Sequence, residues 1–163
     1  MNKIQAALRD QILDTVKNIK KHKVGEILNW LLRNQIAKYS LANDYYFSTQ
    51  FTLDQVKKMN LDVTKRSIKT KKNKITYEHP IPSKVVFDLI LKAKSEIEII
   101  DILKKTDYIV ILSHYEDEKL RIKGLISSMP EGWSYGDNVF ARYEKANIEV
   151  LTKKIKMTGA IRR

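Results

Sequence analysis

Ile4, Leu8, Ile12, Val16 and Ile19 recur every three to four positions near the start of the chain, with Ala7 and Leu13 widening the stripe. That period predicts an amphipathic helix over 2–20 with one face toward a core. Lys17, Lys20 and Lys21 crowd its end, where cations complement the helix dipole. After a short basic joint that holds His22, the spacing returns with Ile27, Leu28, Leu31, Leu32 and Ile36. A second helix is predicted over 24–39, with Trp30 adding bulk. Two such helices across a short joint predict an antiparallel hairpin.

The helical period then lapses. Residues 40–51 read as a polar-aromatic connection in which Tyr45, Tyr46 and Phe47 either fill a core edge or stack on bases. Thr52 with Gln55 three residues on has the capping-box pattern, so a helix over 52–60 is expected, with Leu53, Val56 and Met59 inward. Leu61 and Val63 would occupy a turn, and a further helix from Thr64 would carry Lys65, Arg66, Lys69, Lys71 and Lys72. This arrangement resembles a helix-turn-helix with a basic recognition helix.

Ile75, Thr76 and Tyr77 lead a predicted strand over 74–79, ended by Pro80 and Pro82, which cannot donate to a ladder. Helices follow over 83–92 and, capped by Ser95 with Glu98 in support, over 96–105. Residues 108–112 are apolar and mostly β-branched without interruption, the pattern of a strand buried on both faces. Ser113 and Glu116 form a second capping box for a helix over 115–127. A short helix over 139–145 and a last strand over 147–151 complete the reading. The fold class is therefore α+β, mainly helical, with a small sheet of 74–79, 107–112 and 147–151. The hairpin 1–39 is expected to be an arm or dimerisation element, giving a homodimer, and 40–163 a nucleic-acid-binding domain.

Charge sharpens this picture. The 163 residues carry a formal net charge of +12 and a pI near 9.7. Between 57 and 74, Lys57, Lys58, Lys65, Arg66, Lys69, Lys71, Lys72 and Lys74 face one acid, Asp62. The tail 152–163 adds Lys153, Lys154, Lys156, Arg162 and Arg163 and no acid. Such an excess selects a polyanion, with DNA as the expected partner. Arg142 is a further candidate phosphate clamp, or one half of an ordinary salt bridge. The absence of cysteine excludes disulfides and thiolate zinc sites. Without a signal-peptide h-region or a long apolar run, the chain is expected to be cytoplasmic and to make no membrane contact.

One constellation could carry chemistry. Glu78 and His79 end the first predicted strand, and His114, Glu116, Asp117 and Glu118 follow the second. Carboxylates suit a hard cation, and a neutral imidazole can activate water. Glu78-His79-Pro80-Ile81-Pro82 resembles the strand-end segment of the His-Asn-His (HNH) nucleases with their ββα-metal site. The resemblance implies His79 as general base. It implies Glu78 with His114, Glu116 or Glu118 as ligands to Mg²⁺ or Mn²⁺. The chain departs from that family in its central Asn, which is missing, and in a long insertion between the two segments. The bland reading of the same residues is a strand-end histidine bonded within the fold and a helix start rich in acids because the dipole favours them. Without catalysis there would be no cofactor. Two non-catalytic readings stand beside the nuclease: a helix-turn-helix regulator, and a protein-interaction module such as an antitoxin or phage accessory protein.

Overall fold

The computed structural model describes residues 1–22, 26–59 and 75–156. Within them lie seven helices and one four-stranded sheet. The helices are α1 (Lys3–His22), α2 (Glu26–Leu41), α3 (Gln50–Lys58), α4 (Ser83–Lys92), α5 (Glu96–Lys105), α6 (His114–Ile122) and α7 (Ala141–Lys145). The strands are β1 (Tyr45–Ser48), β2 (Ile75–Glu78), β3 (Val110–Ser113) and β4 (Ile155–Lys156), in the order β2-β3-β1-β4. This is the expected α+β, mainly helical class, opened by the expected helical hairpin. No described helix is long and apolar enough to cross a membrane. The second helix of the helix-turn-helix, with Lys65, Arg66, Lys69, Lys71, Lys72 and also Lys74, lies outside the described residues.

β3 is the axis of the sheet. It pairs antiparallel with β2, Ile75 opposite Ser113 and Glu78 opposite Val110, and parallel with β1, Phe47 opposite Val110. Alternate side chains enter opposite cores, as a pleated strand requires. Val110 and Leu112 join Phe47, Leu120, Leu125, Tyr143 and Ile148 on one face. Ile109 and Ile111 join Tyr46 and Ile75 on the other. A third core unites Ile12 and Val16 of α1, Leu32 and Ile36 of α2, and Val86, Phe87, Ile90, Ile99, Ile102 and Leu103 of α4 and α5. The hairpin expected as an arm thus shares a core with α4 and α5.

The differences from the sequence reading have local causes. β1 lies where a connection was expected: Tyr45-Tyr46-Phe47-Ser48 has no polar alternation and becomes a strand by pairing with β3. α3 starts two residues early, because the N-cap is Thr49, three residues before Thr52, and accepts from the Thr52 amide at 3.0 Å. α6 stops at Ile122 because Gly124 adopts φ 69°. There the Gly124 amide bonds to Arg121 O and the Leu125 amide to Leu120 O, a Schellman ending. Residues 147–151 are not a strand. Asn147 turns at φ 53°, and only the Leu151 amide reaches β1, at Ser48 O. The strand on that edge is β4, with Tyr46 opposite Ile155.

Candidate functional site

β2 delivers Glu78 and His79 to a cleft of about 180 Å³ that Ser83 and Lys84 of α4 and Ser127 also line. Arg142 organises this corner from α7. Its side chain has no exposed surface. Nη2 donates to Glu78 Oε2 at 2.7 Å and to the His79 carbonyl at 2.5 Å, and Nη1 to the Leu125 carbonyl at 2.8 Å. The expected phosphate clamp is therefore an internal tie, holding the end of β2 to the turn after α6. It is the salt-bridge alternative realised, with Glu78 as the partner. Burial pushes the Glu78 carboxyl above its ordinary value, against the pull of the Arg142 guanidinium.

His79 has an enclosed Nε2 without a hydrogen-bond partner among the described residues. Burial pushes its pKa down, opposed by a bond to the main chain of Ala37, so the ring is neutral at pH 7. That is the protonation state of a base. A base must also reach water, and an enclosed Nε2 does not.

The four expected metal ligands do not gather around it. Glu78 lies opposite Val110 at the start of β3, whereas α6 begins after Ser113 at its end. The antiparallel register separates the two groups by three residues, ~10 Å at strand rise. His114 is exposed on the first turn of α6. Glu116 is buried, and its Oε2 accepts from Thr52 Oγ1 at 2.5 Å and Ser113 Oγ at 2.8 Å. Its carboxylate completes the capping box of α6 and ties α6 to α3. Glu118 pairs with Arg121 at 3.3 Å. Among the described residues no three His, Asp or Glu side chains are placed to hold a metal ion.

Two aromatic residues escaped the sequence reading. Phe51 on α3 and Tyr115 on α6 meet at 5.9 Å between ring centroids, tilted by 53°. They are 48% and 63% exposed. Phe51 falls at the end of the expected connection 40–51 and Tyr115 at the start of the expected helix 115–127, and no local pattern joins them. The meeting follows from α3 and α6 starting beside each other at the ends of the parallel strands β1 and β3.

The chain matches no protein-family model, no curated protein and no solved structure at a significant level.

Proposed function

We propose that the protein binds nucleic acid through its basic surface, with DNA as the first partner to test, and that it does so without cutting it. The observation behind this reading is the charge: +12 over 163 residues, with eight basic residues against one acid between 57 and 74. Lys57 and Lys58, which open the run, are exposed at the end of α3. A second exposed basic group, Lys153, Lys154 and Lys156, leads into and belongs to β4. Lysine side chains in such numbers neutralise phosphates and release counterions. The nuclease reading has less behind it, because His79 Nε2 is enclosed and Glu116 is taken up as a cap.

The test is fluorescence anisotropy with labelled DNA in EDTA over a range of salt, beside incubation of plasmid with Mg²⁺ or Mn²⁺. Binding that weakens steeply with salt, with the plasmid left intact, supports the reading. Cleavage that disappears in His79→Ala would replace it with the HNH-like nuclease. No binding at low salt would overturn it.

A second reading has its own observation. Ile27 (80% exposed), Trp30 (66%) and Leu31 present apolar surface on the outer side of α2. Such a patch suits a protein contact, including a second copy of the chain. Light scattering of the wild type beside Trp30→Ser tests it, with a dimer reduced to monomer as the supporting result.

A further inference from the structure

We infer that the Phe51–Tyr115 pair is a stacking platform for an unpaired base, so that the nucleic acid held by this protein is single-stranded at that point. The inference rests on the nucleic-acid reading above and narrows its substrate class.

Single exposed apolar side chains are ordinary on a protein surface. This pair differs in three respects. The rings come from two helices and lean on each other while both remain about half exposed or more. Neither belongs to any of the three cores. A cation also accompanies them: Lys119, one turn after Tyr115, holds Nζ 5.0 Å from the Tyr115 ring centroid. Lys119 Nζ also lies 3.5 Å from the Asn147 carbonyl, which ties this corner to the loop after α7.

That loop and the first turn of α3 enclose a cleft of about 400 Å³ with Phe51 at its edge. Gln50, Asn147 and Glu149 line the cleft. Gln50 Nε2 already donates to Asp54 Oδ1 at 2.8 Å, so the Asn147 amide supplies the donor, and Gln50 Oε1 and the Glu149 carboxylate supply acceptors, to the edge of a base. A carboxylate in that position repels phosphate and accepts from an amino group, so the cleft suits the base and Lys119 the backbone. The occupant follows from this complementarity. Every base has a π face for an aromatic platform, and its phosphates answer the +12 charge of the chain. A duplex hides those faces in its own stack.

The experiment is anisotropy of a labelled twelve-nucleotide strand, as DNA and as RNA, against the same sequence in a duplex. The proteins are the wild type and Phe51→Ala/Tyr115→Ala, with circular dichroism to confirm that the variant is folded. The expected result is preference for the single strand in the wild type and a loss of about tenfold for that strand in the variant, with duplex binding unchanged. The DNA and RNA arms identify which strand is preferred. As a second readout, Phe51→Trp places a fluorophore in the platform, and its emission should be quenched by the single strand and not by the duplex. Equal binding of both forms, with the alanine variant unchanged and no quenching, would overturn the inference while leaving nucleic-acid binding in place. Absence of salt-sensitive binding to any of these strands would overturn both.

Discussion

The Arg142 guanidinium meets the Glu78 carboxylate at 2.7 Å in a position where the arginine exposes no surface. The same guanidinium also bonds to the Leu125 and His79 carbonyls, so one side chain joins α7, β2 and the turn after α6. Removing it leaves a mostly buried carboxylate without its partner and three carbonyls, of His79, Leu125 and Ile126, short of a donor. Arg142→Ala is expected to cost about 3–5 kcal/mol, the usual effect of breaking a buried pair from one side. Arg142→Lys should recover only part of this, because an ammonium cannot span three acceptors in a plane. Glu78→Gln keeps an acceptor and should cost less than either. Urea unfolding of the three variants checks the order. Salt dependence of nucleic-acid binding unchanged in Arg142→Gln, at a temperature where that variant is folded, would confirm that this arginine is structural.

Glu116 gives a second prediction. Its Oε2 collects Thr52 Oγ1 and both the amide and hydroxyl of Ser113. Glu116→Ala would orphan the Thr52 and Ser113 hydroxyls, while the Ser113 amide keeps Thr52 Oγ1 as an acceptor at 2.6 Å, and should destabilise by about 1–3 kcal/mol. A metal ligand would behave differently. Its removal would relieve repulsion in the metal-free protein, and Mg²⁺ or Mn²⁺ would raise the melting temperature of the wild type but not of the variant. Thermal melts with EDTA or with either cation separate the two roles, and no cation effect is expected.

Asp107 sets a pH dependence. Burial pushes its carboxyl up from 3.8 to about 6, although Gln5 Nε2 donates to it at 2.8 Å. The folded state therefore holds a proton that the unfolded chain has already lost between these values. Asp107 makes its full contribution at the acid end of this window and loses it as pH rises through about 6. Asp107→Asn does not titrate and can still accept from Gln5. Relative to the wild type, the variant should gain about 1–2 kcal/mol between pH 4 and pH 7.5, a range that allows for the partial exposure of the site. Paired unfolding curves at the two pH values test the sign. A wild type that gains on the variant as pH rises would contradict it.

Local signals were sufficient for much of the helical framework. The 3.6-residue stripe of α1 and α2, the Ser95 cap of α5 and the Ser113–Glu116 capping box of α6 are written within a few residues each, and all occur where expected. The buried run around Ile109–Leu112 was equally legible, because a strand covered on both faces needs no polar alternation. The candidate site was much less so. Glu78 and His79 do sit at a strand end, but which end of β3 they face depends on an antiparallel register that no pattern in either segment encodes.

The sequence by itself determined the mainly helical character, the hairpin, the central strand and the basic charge, since each depends on side chains close in the chain or on their sum. Only the tertiary structure decided the partners. It made β1 a strand, turned Arg142 inward to Glu78, took up Glu116 as a cap shared with Thr52, and brought Phe51 against Tyr115. The physical reason is separation: each of these contacts joins residues about sixty positions apart in sequence, so its energy is set by how the elements pack and not by the residues beside it.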